Sequence, residues 1–449
     1  MPDIAPLKGL LYNQRLIDDM GAVITPPFDV ISPEEQEMYH RSHPYNIIRL
    51  ILGQNKPGDD EKNNWYSRAA ETLEAWQREG VLIRDGQPAF YDYEIEYVEP
   101  PNFTRTRQGF ICLVRLEDFS QGLVLPHERT YEETKSERLK LMSSCQANLS
   151  QVFSLYADPG KEVIKHLHEG REQKPVFSFR DGSGIHHRMW RVTREEIVQR
   201  VVACMKGKRL FIADGHHRYE TALNYQKLMQ EKYPEKRRGA SFNYVLMYLA
   251  SMNQPGLSIL PAHRLFVSLP QFQMASFLER AADYFELVRF PFDKAANNQA
   301  LTEFLDALHS AGDRHFIGVY ESKGGQVVLL KLRVDVDHRG WLGQLPRPLQ
   351  KLDVVVLTEL ILKRLLKLDE STLNDETRIK YRHDVQEAID QVDRGFFQVA
   401  FLLNHTKIEQ LKEVADSSLF MPHKSTYFYP KVIDGSVINL LDPNEDVPI

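Results

Sequence analysis

The chain has 449 residues, of which 42% are apolar and 26% charged, with a formal net charge of −6. This is the composition of an ordinary globular protein with ample Leu, Ile, Val and Phe for large cores, and at roughly 150 residues per domain it suggests about three structural units. The charge balance supplies no general drive toward nucleic acid or anionic membranes, and the three cysteines form no CxxC pair, which argues against a thiolate zinc site and suits a reducing compartment.

The first residues carry Asp3 and no long apolar run, so they do not read as a signal peptide. The longest apolar runs, such as residues 244–250, fall far short of the ~20 residues of a membrane span. A cytoplasmic location is expected.

Residues 23–32 (VITPPFDVIS) read as a loop, because Pro26 and Pro27 fix φ and interrupt regular structure. Ser32-Pro33-Glu34-Glu35 then predicts a helix start, with Ser32 as N-cap and Pro33 at the first helical position. Residues 64–79 have helical periodicity, placing Trp65, Ala69, Leu73 and Trp76 on one face, with Gly80 as the stop. Residues 89–98 alternate as a strand does, and 110–116 predict another strand. A loop at 124–130 leads into a charged helix at about 131–144. Residues 152–156 predict a short strand.

The stretch 160–208 reads as an insertion, with strands at 176–179 and 187–192 and a helix at about 194–206. Residues 209–213 predict a buried strand that stops at Asp214-Gly215-His216-His217-Arg218, from which a helix runs to about Lys232. The strand 243–249 follows, and 258–267 closes this unit. From about 270 the pattern is mixed α/β, with an amphipathic helix at 352–366, a strand at 397–403, a helix at 406–414, the loop 421–426 (MPHKST) and a strand at 427–429. The basic run 235–238 (EKRR) reads as a solvated loop.

The strongest chemical signal is residues 211–222 (FIADGHHRYETA). Gly215 permits a tight turn between strand and helix. Free N–H groups and the helix dipole at such a helix start attract anions. His216, His217 and Arg218 add polar donors, and Arg suits phosphate through its fork of N–H groups. The same pattern also fits a capped strand-to-helix turn with solvated histidines.

The second signal is Pro126-His127-Glu128. Glu128 can take a proton from a hydroxyl nucleophile, or cap the following helix. Position 131 is Tyr131, so the spacing of a zincin motif is absent. The third is the MPHKST loop, where Lys424 can act as a point charge on phosphate and Ser425 and Thr426 can add hydroxyl donors, although P-loop glycines are missing. Asp29 reads as a site residue or as a turn-forming residue. His263-Arg264 reads as a further site pair or as a surface pair on a strand. His186-His187-Arg188 repeats the letters of the main motif but precedes a strand, so the anion-binding geometry is missing.

The segments PPFDVIS, PHERT, ADGHHRYETAL, LPAHRL and MPHKSTYFYPK, in that order, resemble the signatures of the DUF1015 family over nearly the whole chain. The run from Asp214 to Ala222 also resembles the phosphate-binding box of the ParB/sulfiredoxin-like fold. There, ParB proteins carry Gly-Glu-Arg-Arg and sulfiredoxins Gly-Cys-His-Arg. His216 occupies the sulfiredoxin cysteine position, which argues against sulfinic acid reduction. The ParB glutamate is replaced and no helix-turn-helix is evident, which argues against clamping on DNA.

Pro126-His127-Glu128, residues 214–218 and the C-terminal strand, helix and Pro422–Thr426 loop are similar, in the same order, to motifs of the archaeal ADP-dependent free serine kinases. The chain departs from them in length, in its first 100 residues, in the 160–208 and 270–395 segments and in His423, which separates Pro422 from Lys424.

The resemblance implies a mixed α/β fold: a ParB/sulfiredoxin-like core at 101–270, preceded by an N-terminal α/β segment at 1–100 and followed by a C-terminal α/β domain at 271–449, of which 396–449 completes the site. It implies a kinase acting on free L-serine or a similar small hydroxyl metabolite, with ATP or ADP and Mg²⁺ as cofactors. Glu128 would be the base, assisted by His127 and Asp214. Gly215, His216, His217, Arg218, Lys424, Ser425 and Thr426 would bind nucleotide. From the residues themselves, Asp29, His263 and Arg264 are candidate substrate-binding residues, and Asp214 would orient the turn or hold the metal. The alternative is a nucleotide-hydrolysing switch acting through a protein partner. Neither membrane nor nucleic acid is expected as a partner, and a homo-oligomer is compatible with the sequence.

Overall fold

The computed structural model describes residues 3–99, 103–236, 239–291, 298–334, 342–373, 375 and 377–447, so Arg237 and Arg238 of the basic run lie outside the described residues. The chain is a mixed α/β protein that divides into two compact units. One comprises Met1–Pro126, Thr130–Ser258 and Pro430–Ile449, and the other His127–Arg129 and Ile259–Tyr429.

In the first unit, local signals place the early helices. Ser32 caps Pro33–Ser42 and completes a capping box with Glu35, and Asn64 caps Trp65–Arg78. The four buried residues of the latter helix are Trp65, Ala69, Leu73 and Trp76, the face its periodicity predicts.

A nine-stranded sheet forms the centre of this unit. Along it run Val124–Leu125, Leu210–Asp214, Val152–Tyr156, Tyr244–Ser251, Phe103–Arg115, Phe90–Glu99, His186–Val192 and Phe177–Arg180, while Ile4–Ala5 pairs with the end of Phe103–Arg115. Two pairings are parallel, Leu210–Asp214 with Val124–Leu125 and Tyr244–Ser251 with Val152–Tyr156, and the rest are antiparallel. The two strands of the 160–208 stretch therefore form one edge of the same sheet.

One sheet face, carrying Phe90, Phe110, Cys112, Ile212, Met247 and Leu249, packs on Val163, Leu167, Ile197, Val201, Tyr219 and Ala222 of the helices Glu162–Gly170, Glu195–Met205 and His216–Lys232. The sequence pattern does not predict the helix Glu162–Gly170. Its N-cap is Lys161 in the left-handed region (φ 55°) with no capping side chain, so it lacks the usual sequence signature. The alternation at 89–98 suggests one wet face, yet Asp92 and Glu94 are buried, held by Arg171. Buried carboxylates need such partners.

The second unit holds a six-stranded, fully antiparallel sheet in the order Phe285–Pro291, Gln326–Leu332, Phe316–Glu321, Val399–Leu403, His263–Phe266 and Ile379–Arg382. His263–Phe266, within the stretch 258–267 expected to close the preceding unit, is thus an inner strand of this sheet. Its core joins Phe304 and Leu308 to Phe316, Leu329 and Leu402 and to Ile389 and Val392 of the helix Val385–Asp393. The amphipathic stretch 352–366 is helical as Asp353–Val356 continued by Leu357–Leu365, where the hydrogen bonding widens to the π pattern. No helix among the described residues is long and apolar enough to cross a membrane.

Candidate functional site

In the first unit the strand Leu210–Asp214 ends where Gly215 turns the chain with φ 91°. That left-handed value favours glycine, and a Cβ there would lie 2.9 Å from Arg218 Nε. The 17-residue helix His216–Lys232 starts at once, and no side chain caps it. The first N–H groups of a helix lack intrahelical acceptors, so this turn presents donors and the positive end of the dipole.

The side chains of the turn point to structural work. Arg218 is buried; Nη2 donates to Asp214 Oδ2 at 2.6 Å and Nη1 to the Gln151 carbonyl. His217 Nε2 accepts from the backbone N–H of Tyr131 at 2.9 Å, and the two rings stack. Tyr131 is the N-cap residue of the helix Glu132–Cys145, so His217 ties that helix start to the turn. His216 is buried.

Asp214 has a second cation that sequence reasoning missed, for Lys431 Nζ donates to Asp214 Oδ1 at 2.8 Å. Burial raises the Asp214 carboxyl, but Lys431 and then Arg218 outweigh it and hold it well below the usual range. The nearest sequence signal for Lys431 is that it closes the MPHKSTYFYPK segment.

Asp434 lies close by and is fully buried. Burial pushes its carboxyl up to about 7 against the pull of Arg218 and of the Ser150 hydroxyl, which donates to Oδ2 at 2.8 Å. Asp29 is exposed in the 3₁₀ turn Phe28–Val30, and its charge acts on both Arg218 and Asp434.

Asp214 does not fit the role of Mg²⁺ ligand, because each of its oxygens already accepts from a cation. No group of three His, Cys, Asp or Glu among the described residues could hold a metal ion.

In the second unit, His127 is fully buried. Its Nε2 is 3.0 Å from Thr426 Oγ1, and its carbonyl accepts from Met421 N–H at 2.8 Å. The PHE and MPHKST motifs are thus joined at both ends of the loop. Glu128 is half-buried and, among the described residues, has no hydrogen-bond or ion-pair partner. The helix after it begins at Glu132, with Glu132 and Glu133 in its first turn and no side-chain cap, so Glu128 is not the cap.

The MPHKST loop is tightly braced. Ser425 Oγ donates to the Pro422 carbonyl, Thr406 Oγ1 donates to the Ser425 carbonyl at 2.9 Å, and Lys424 adopts a left-handed backbone (φ 54°). Arg264 is buried rather than on the surface; it donates to Thr358 Oγ1 at 2.9 Å and to the His423 carbonyl at 3.3 Å, so it supports this loop from beneath. His263 is also buried. Burial, with His383 and His309, lowers its imidazole to about 3, and Nδ1 accepts from Leu403 N–H. It is therefore a neutral core histidine. Lys424 and Ser425 line a cleft of about 750 Å³, together with Lys351, Asn404, Thr406 and Lys407.

Residues 4–355 match the family described as protein of unknown function (DUF1015), and the chain belongs to that family. No curated protein matches it. Among solved structures it is similar to a free serine kinase in complex with AMP, at 12% identity over 68% of this chain and 84% of that one, with a TM-score of 0.32. It is also similar to a conserved hypothetical protein from Pyrococcus furiosus, at 13% identity over 72% and 94% with a TM-score of 0.33. A third is SbnI with C-terminal truncation from Staphylococcus aureus, at 10% identity over 75% and 90% with a TM-score of 0.34.

Proposed function

We propose that this DUF1015 protein is a nucleotide-dependent phosphotransferase with a ParB/sulfiredoxin-like core, acting in the cytoplasm on the hydroxyl of a small metabolite, with free L-serine as the first candidate. The observation that carries the reading is the uncapped start of the 17-residue helix His216–Lys232 behind the left-handed Gly215. Such a start binds phosphoryl oxygens through backbone N–H groups and the helix dipole. The choice of acceptor rests on the order of the three motifs along the chain.

In this reading the backbone of residues 215–218 holds the nucleotide phosphates, and Arg218 acts by fixing Asp214 and the turn. Glu128 takes the acceptor's proton as its oxygen attacks the terminal phosphorus. The bond from phosphorus to the bridging oxygen breaks, the shortened nucleotide leaves with that oxygen, and the phosphoryl group ends on the acceptor. Support for Glu128 comes from its half-buried carboxylate, which has no partner among the described residues, and from a helix start that does not use it. His127 positions this segment through Thr426. Lys424 and Ser425 border the cleft suited to a small polar ligand. No step is routed through Mg²⁺ at Asp214.

The test is O-phosphoserine formation by the purified protein from L-serine with ATP, ADP, CTP or GTP, alongside Glu128→Gln. Product with one nucleotide, lost in the variant while nucleotide still binds, is the expected result. Nucleotide binding with slow hydrolysis and no phosphorylated acceptor would favour the switch reading. Absence of any nucleotide binding would end both.

A further inference from the structure

We propose that the first unit holds a binding site for one small monovalent anion, formed by Arg107 and Tyr248 on a buried face of the nine-stranded sheet. The inference goes beyond the phosphotransferase reading and does not rest on it. Arg107 lies on the strand Phe103–Arg115 in register with Ile95, and side chains alternate across a strand. It therefore shares a face with Tyr93 and Ile95, opposite the face that carries Phe110 and Cys112 onto the helices. Arg107 is 0% exposed. Its Cζ stands 4.8 Å from the centre of the Phe153 ring and 5.5 Å from that of Tyr248. Ring faces attract the charge but leave the N–H groups at the guanidinium edge without acceptors. Nε, Nη1 and Nη2 all lack a hydrogen-bond partner among the described residues, and so does the Tyr248 hydroxyl. Gly109 brings the two groups together. Tyr248 pairs with Ile111, and its ring passes over Gly109, the next residue on that face toward Arg107. A Cβ on Gly109 would lie 2.6 Å from Tyr248 Cζ.

Nearly all buried polar groups have a hydrogen-bond partner, and a buried charge without an acceptor is costly. The surrounding acids do not supply one. Asp181 Oδ2 faces His187 Nε2 at 3.2 Å, its Oδ1 accepts from the N–H groups of Ser183 and Ile185, and His187 Nδ1 accepts from the Tyr93 hydroxyl at 2.7 Å. The field of Asp181 reaches this cluster and offsets part of the Arg107 charge, but its oxygens are taken. Asp92 and Glu94 project from the opposite face, where Arg171 holds both. Burial pushes the Tyr248 phenol up to about 12 against the pull of Arg107, so it keeps its proton as a donor. Guanidinium and hydroxyl are therefore both donors in need of an acceptor. A monoanion accepts from both and answers the charge, whereas water answers the donors alone and a dianion overcompensates a single guanidinium.

The test is urea unfolding of wild type, Arg107→Met and Tyr248→Phe, each prepared free of halide, while chloride replaces the bulkier gluconate at constant ionic strength. Above its dissociation constant, an anion held only by the folded chain lowers the unfolding constant about tenfold for each tenfold rise in its concentration. Wild type is expected to show this slope and Arg107→Met to show none. Tyr248→Phe should need about 2- to 10-fold more chloride for the same effect, the share of one hydrogen bond. In wild-type crystals grown with bromide, the anomalous signal should place one bromide within hydrogen-bond distance of Arg107. Wild type that unfolds alike in chloride and gluconate, or crystals without bromide at Arg107, overturns the proposal and leaves water as the partner of the guanidinium. A chloride slope that persists in Arg107→Met overturns it as well. The two wild-type measurements decide the matter even if Arg107→Met does not fold.

Discussion

Replacing Gly215 with alanine tests the turn that carries the functional reading. Two costs are expected. An L-residue in the left-handed region costs roughly 1–2 kcal/mol. In addition, the new Cβ would meet Arg218 at 2.9 Å from Nε, 3.0 Å from Cζ and 3.2 Å from Nη2. The guanidinium would have to shift away from Asp214 and the Gln151 carbonyl. Complete loss of one partner from a buried ion pair costs about 3–5 kcal/mol, which bounds this second contribution from above. Gly215→Ala should therefore lower stability by more than the backbone cost alone, up to a ceiling of about 4–7 kcal/mol in total. Gly80→Ala is the control, because Gly80 has φ 74° but nothing within 4 Å of its Cβ position, so only the backbone cost of about 1–2 kcal/mol applies. Urea unfolding followed by tryptophan fluorescence reads both, since the first unit contains the buried Trp65 and Trp76. Equal destabilisation by the two variants, within about 0.5 kcal/mol, would refute the argument that Gly215 is packed against Arg218.

Two further outcomes are expected. The Asp434 carboxyl, raised to about 7 by burial, keeps its proton in the native state at pH values where the unfolded chain, with a pKa near 4, has lost it. The stability it contributes is fully present at low pH and is lost as pH rises from about 4 through about 7. Asp434→Asn should remove this slope, so its unfolding free energy relative to wild type should rise by on the order of 2 kcal/mol between pH 5 and pH 8 in paired urea titrations. A constant difference across that range would contradict it. On the helix Trp65–Arg78, Leu73→Ala should cost about 2–5 kcal/mol because Leu73 is buried, whereas Glu74→Ala on the exposed face should stay within about 0.5 kcal/mol in the same measurement.

Much of the local structure was legible because it depends on near neighbours. Ser32 and Glu35 sit three residues apart and cap each other, and Trp65, Ala69, Leu73 and Trp76 recur at helical spacing. The turn at Gly215 was legible for the same reason: an apolar strand, a glycine and a helix start are consecutive. What eluded sequence reading lacked a local signature. Lys161 starts a helix with no capping side chain, and the carboxylates Asp92 and Glu94 look solvent-facing until Arg171 is placed beside them. Arg264, one alternative for which was a surface position, lies buried beneath the MPHKST loop.

The sequence by itself determined the family, the mixed α/β class and the three motifs, because these are written in short runs whose chemistry does not need the rest of the chain. The tertiary structure decided what each charged side chain does. Lys431 reaches Asp214 across 217 residues, Ser150 reaches Asp434 across 284, and His127 reaches Thr426 across 299. Partners that distant cannot be inferred from spacing. Yet in a buried, low-dielectric setting the partner is what sets a group's charge and donor count, and hence whether an arginine binds a ligand or braces a turn.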